Sequence, residues 1–173
     1  MNKYSFNNPM RFTEETIVYN EQGNPRFQMQ GFYKGITGYL LKLINFQINI
    51  KGVCCDGVQM YLEQEPILKE GITGKWRLIT SKSGHAQNEC IIHNKTKIKT
   101  DIMMNYYRGD TVIEMSSTLI DRGIYFRERN TNKLLAKAEV PRVYIKDLKY
   151  EVYDTSIKEW EVALLYYLYI IWR

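Results

Sequence analysis

Short alternating segments recur along the chain, each followed by a turn. Phe46, Ile48 and Ile50 alternate with Gln47, Asn49 and Lys51, and Val58, Met60 and Leu62 with Gln59, Tyr61 and Glu63. Leu134, Ala136, Ala138 and Val140 alternate with Leu135, Lys137 and Glu139. Leu148, Tyr150 and Val152 alternate with Lys149, Glu151 and Tyr153. A period of two marks strands with one buried face and one wetted face. Turn chemistry falls between the runs: "NEQGNP" at 20–25, "CDG" at 55–57, "KSGH" at 82–85, "YRGD" at 107–110, "DRG" at 121–123 and "NTNK" at 130–133. Asp56-Gly57 is the strongest hairpin signal, because glycine accepts the positive φ that such turns demand. The spacing predicts about eleven or twelve strands in an antiparallel sandwich or barrel. The stretch 35–45, "GITGYLLKLIN", reads as a short helix or an irregular crossover.

The last segment, "EWEVALLYYLYIIWR", breaks the alternation. Ser156 and Glu159 have the spacing of a capping box, which predicts a helix over about 157–172. Glu159 and Glu161 near its start and Arg173 at its end suit the helix macrodipole. Its apolar residues cover every side, and Glu161 is the one charge between Trp160 and Trp172. Such a helix lies inside protein or inside lipid. The run falls short of the roughly 20 residues that a bilayer crossing needs, and it is flanked by glutamates rather than by basic residues. Burial in protein is therefore expected. A helix about 10 Å across does not fit an eight-stranded barrel but fits a wider one. Strand number and helix character together predict a mainly β single domain over residues 1–173, a closed antiparallel barrel of about twelve strands around its own C-terminal α-helix.

Composition refines this picture only slightly. The 173 residues include 45% hydrophobic and 25% charged side chains, close to globular averages. Fourteen tyrosines suit half-buried strand faces, where the ring packs and the hydroxyl reaches water. A net charge of +5 permits attraction to anionic surfaces. Three cysteines without repeating spacing argue against a disulfide framework, and "MNKYSFNNPMRF" offers no apolar signal segment. The expected compartment is the reducing cytoplasm, peripheral to a membrane if the charge is used there.

Candidate chemistry is sparse. Lys95, Lys97 and Lys99 in "NKTKIKT" would share a strand face, with Lys75, Arg77 and Lys82 near in sequence, as a ridge for phosphates or an anionic membrane. The alternative makes 93–96 a hairpin turn and leaves Lys97 and Lys99 as solvated edge lysines. Arg127 and Arg129 accompany Tyr125 on one face of "GIYFRERN", a set able to bind headgroups or to pair with neighbouring acids. No nucleic-acid motif accompanies it, which argues against that partner. Cys54 and Cys55 are adjacent, so a strand would point them to opposite faces, one into the core. His85 and His93 belong to no metal motif, and "GITGKW" lacks the spacing of a phosphate loop. No catalytic residue, cofactor or metal is expected.

The layout of alternating strands closed by an apolar C-terminal helix resembles the tubby C-terminal-like superfamily, which includes tubby domains, LURP-one-related proteins and phospholipid scramblases. The segments "YSFNNPMRF", "IVYNEQGNPRFQMQGFYK" and "EWEVALLYYLYIIWR" are similar to small bacterial tubby-like proteins. The resemblance implies a twelve-stranded barrel around a hydrophobic helix. Tubby domains use basic side chains on phosphoinositide headgroups, but no residue here matches those positions one for one. Scramblase-type proteins carry an acidic calcium segment, whereas "YEVYDTSIKEWE" at 150–161 lacks a calcium-loop pattern. The resulting expectation is a non-enzymatic binding or tethering module for anionic phospholipid, with Lys75, Arg77, Lys95, Lys97, Lys99, Arg127 and Arg129 as candidate contacts. The alternative is a structural or protein-interaction domain with a protein partner and no small ligand.

Overall fold

The computed structural model describes residues 1–9, 11–33, 48–65, 74–82, 85–96, 102–117, 123–140 and 147–172. Among them are β1 (Asn2–Asn7), β2 (Thr16–Asn20), β3 (Pro25–Phe32), β4 (Asn49–Cys54), β5 (Val58–Gln64) and β6 (Lys75–Lys82). β7 (His85–Asn94), β8 (Met103–Arg108), β9 (Thr111–Ser117), β10 (Gly123–Glu128), β11 (Leu134–Glu139) and β12 (Asp147–Val152) follow, and α1 (Glu159–Trp172) ends the chain. Each strand pairs antiparallel with its neighbours in sequence, and β1 closes the ring against β12 from Asn2↔Val152 to Asn7↔Asp147. The predicted closed barrel of twelve strands around a C-terminal helix is what the chain forms. Closure leaves no strand edge unpaired.

Alternation decides which side chains face inward. Phe6, Met29, Ile50, Leu62, Trp76, Ile92, Tyr106, Ile113, Phe126 and Tyr150 are buried around the helix. Every residue of α1 from Glu161 to Tyr169 is buried as well. The helix therefore fills the barrel, as its all-round apolarity predicts. No helix among the described residues is long and apolar enough to cross a membrane. Among several departures from strict alternation, β11 buries both Leu135 and Ala136. A register shift between Phe126 and Arg127 of the paired strand accounts for it, since a bulge turns two successive side chains to one face.

Turn chemistry behaves as its residues dictate. Gly23, Gly57 and Gly109 take positive φ in the β2–β3, β4–β5 and β8–β9 turns, and Asn132 does so in the β10–β11 turn. Gly31 has a different role. A Cβ there would sit 2.3 Å from the Phe12 carbonyl oxygen, and the Gly31 amide donates to that oxygen at 3.1 Å. The β1–β2 connection thus folds over the end of the barrel.

The helix start corrects the expected capping box. α1 begins at Glu159, and the reciprocal bond is the Lys158 amide donating to Glu161 Oε2 at 2.7 Å. The Ser156 amide is already committed to Asp154 Oδ1 at 2.8 Å, and Glu159 pairs with Arg26 at 3.0 Å. The stretch 35–45, the core of the "DRG" turn at 121–122 and the central residues of "KSGH" lie outside the described residues.

Candidate functional site

Two places concentrate polar chemistry. The first lies inside the barrel at the start of α1. Glu161 is buried, yet its carboxylate accepts from the Tyr106 hydroxyl at 2.6 Å and from Arg108 Nη1 at 2.9 Å, besides the Lys158 amide. Arg108 also donates to the Ser156 carbonyl. A buried carboxylate is tolerable only when its lone pairs are met and its charge is paired, and both conditions hold. Burial, then the nearby Glu161 charge, pushes the Tyr106 phenol far above its ordinary value. Burial likewise raises the Cys90 thiol beside it. Burial thus favours the protonated form of both groups.

The second place is on the outer wall, where the closing strands meet. A groove of about 650 Å³ is lined by Lys3, Ser5, Lys137, Glu139, Lys149 and Glu151, and also by Gly123, Glu21 and Tyr153. A smaller hollow of about 240 Å³ continues it past Lys3 and Glu21 to Arg26. Register explains the convergence. Tyr125 opposes Lys137, Lys137 opposes Glu151, and Glu151 opposes Lys3, so residues from four strands form one lateral row. In the next row Gly123 opposes Glu139 and Ser5 opposes Lys149. Glycine and serine leave room where larger residues would fill the wall.

Local contacts shape the groove. The Tyr125 ring lies over Gly123, where an added Cβ would meet the tyrosine hydroxyl at 2.7 Å. Lys137 Nζ stands 5.2 Å from the centre of that ring and the Arg127 guanidinium 5.5 Å, both within cation–π reach. Lys3 approaches Glu21 at 3.7 Å. The Tyr153 hydroxyl donates to Glu151 Oε2 at 2.6 Å, which pushes the phenol up to about 12. Three lysines and three glutamates line the groove, so its field is mixed rather than uniformly positive.

The described basic residues among those singled out in the sequence are spread around the barrel. Lys75 pairs with Glu65 at 3.1 Å, and Arg77 lies 3.8 Å from Glu89 on the paired strand. Lys95 is exposed just beyond β7. Residues 93–94 belong to that strand, and Lys97 and Lys99 lie outside the described residues. Arg127 donates to the Asn132 carbonyl and faces Tyr125, while the exposed Arg129 donates its amide to the Val112 carbonyl past the end of β10. Lys75 and Arg127 are separated by four strand spacings, roughly 19 Å along the wall. Among the described candidates, Arg127 alone adjoins the groove, through Tyr125 and Lys137. Sequence reading missed Lys3, Lys137 and Lys149, which carry no local motif and converge through the β11–β12 pairing and the closure of β1 on β12. Cys54 is buried and Cys55 exposed, as adjacent strand positions dictate, and burial pushes the Cys54 thiol up to about 12.

No curated protein sequence matches the chain. A protein from Arabidopsis thaliana with a known X-ray structure is similar in fold, with a TM-score of 0.55 at 9% identity, covering 98% of this chain and 89% of that one. The sequence model described as Tubby C-terminal like domain matches residues 3–172, the span that the barrel and its helix occupy. The chain belongs to the Tubby C-terminal like domain family.

Proposed function

We propose that this domain is a non-enzymatic binding and tethering module that docks anionic phospholipid headgroups on its outer wall, with the groove across β10, β11, β12 and β1 as the site. One observation carries the reading. The barrel interior is occupied by its own helix, and the groove gathers Lys3, Lys137 and Lys149 on the outside. The net charge of +5 draws the domain toward an anionic surface, and family membership, in a group that often binds lipid, supports the same direction. Arg127 and Lys137 flank Tyr125 as one wall, and Lys75, Arg77, Lys95, Lys97, Lys99 and Arg129 add to long-range attraction.

Co-sedimentation with phosphatidylglycerol-containing vesicles tests this. Binding should fall steeply as salt shortens the Debye length from about 10 Å at 0.1 M to about 3 Å at 1 M. The Lys137→Gln/Lys149→Gln double variant should bind more weakly than the native chain. Absence of binding at every salt concentration would defeat the proposal. The balance of three lysines by three glutamates favours a second reading, a protein-interaction domain that uses the same groove. A stoichiometric protein partner displaced by the same double variant would select it.

A further inference from the structure

Within the groove, two opposite charges stand apart from the local pairing. Glu21 is engaged by Lys3 and Glu151 by the Tyr153 hydroxyl. Among the described residues, no hydrogen bond or ion pair engages the carboxylate of Glu139 or the ammonium of Lys149. Both side chains are exposed to the groove. They follow the Ala138↔Tyr150 pair, the last of the β11–β12 register, and continuing that register by one step sets them opposite each other. Opposite charges so placed ordinarily pair with each other. Here each opens instead onto the groove beside the small Ser5, so the groove offers a donor and an acceptor of full charge to one small guest.

We infer that the groove accepts a ligand bearing a phosphate and a primary ammonium together, the phosphate on Lys149 and Lys137 and the ammonium on Glu139. This inference rests on the outer-wall reading above and narrows its ligand. A ligand with negative charge alone would meet Lys149 but would leave Glu139 as a repelling neighbour. A quaternary ammonium fits poorly, because it donates no hydrogen bond and needs open aromatic faces. The ring on this wall, Tyr125, is already faced by Lys137 and Arg127. A primary ammonium has three donors for a carboxylate.

The test compares two lipids of equal net charge in a phosphatidylcholine background, phosphatidylserine with its ammonium and phosphatidylglycerol without one. A soluble arm titrates O-phosphoserine against inorganic phosphate and follows amide chemical shifts. Native protein should prefer phosphatidylserine by roughly two- to fivefold, the effect of one half-exposed charged contact. Glu139→Gln should abolish the preference without weakening phosphatidylglycerol binding, and Lys149→Gln should weaken both. Both positions are exposed, so the variants keep the fold, which circular dichroism verifies. Equal affinity of the native chain for the two lipids overturns the inference and leaves the anionic-lipid reading standing. Binding of O-phosphoserine above phosphate, lost in Glu139→Gln but with no vesicle binding, supports the inference with a soluble ligand and overturns the lipid reading. No binding in either arm overturns both.

Discussion

The two rims of the barrel are built differently. At the rim where α1 begins, the strand connections span only 21–24, 55–57, 83–84, 109–110 and 129–133. At the rim where α1 ends they span 8–15, 33–48, 65–74, 95–102, 118–122 and 140–146. The helix is anchored by charge at the first rim, through Arg26–Glu159 at 3.0 Å and Arg108–Glu161 at 2.9 Å. At the second it is anchored by neutral hydroxyls. Tyr167 donates to the Phe12 carbonyl at 3.2 Å, Tyr166 to the Glu139 carbonyl, and Tyr169 meets Ser117 at 3.0 Å. Trp172 packs edge-on against Trp76 with ring centres 5.1 Å apart. The difference follows from the helix itself. Its N-terminal end favours carboxylates, which then require cations, and its other end faces strand-end carbonyls that accept from tyrosine.

The largest effect should come from removing the helix altogether. A chain ending before Glu159 leaves a void far larger than any single-residue cavity. Near-ultraviolet circular dichroism and thermal unfolding should show no cooperative transition, and a cooperative, soluble truncation would contradict the filled-barrel description. Next comes Glu161→Ala, which leaves Arg108 and the Tyr106 hydroxyl without their acceptor. A loss of about 3 kcal/mol in denaturant unfolding is expected, because one member of a mostly buried pair is removed.

Smaller effects sharpen the contrast between rims. Tyr167→Phe should cost about 1 kcal/mol at low and high salt alike, since a neutral hydrogen bond is lost. Arg26→Ala should cost less than about 1 kcal/mol and nothing at 1 M salt, because the Arg26–Glu159 pair is partly exposed and screened. If the salt responses of these two variants were exchanged, the distinction between a charged and a neutral rim would be wrong. The smallest test needs no mutation. At about pH 8.5 a thiol reagent should label Cys55 first, with Cys54 and Cys90 reacting only on unfolding. Burial raises the folded Cys54 value to about 12 from 9.0. The stability this thiol contributes is therefore fully present below pH 9 and is lost as pH rises from 9 toward 12. Equal reactivity of all three thiols in the native state would contradict the assigned burial.

Periodicity carried most of the fold. β5 and β12 alternate as their residues require, and an all-round apolar tail leaves little choice except burial. What could not be read locally is whatever depends on closure. The Ser156–Glu159 spacing suggested the cap, but the true partner is Glu161, whose burial is compensated by Tyr106 and Arg108 from distant strands. Lys75 and Arg77, read as neighbours of a Lys95–Lys97–Lys99 ridge, have acidic partners in Glu65 and Glu89 that their local sequence does not announce. Conversely, Lys3, Lys137 and Lys149 are unremarkable in sequence and converge only through the β1–β12 and β11–β12 registers.

The claim that recognition belongs to the seam of a filled barrel is tested most directly by lysine footprinting. The native chain is acylated with and without saturating phosphatidylserine vesicles at low salt, and modification is read at each lysine by mass spectrometry. Lys137 and Lys149 should lose reactivity on binding while Lys82 on the far wall keeps it. Uniform protection, or protection of Lys82 with Lys137 and Lys149 still reactive, would contradict the assignment of the seam as the binding face.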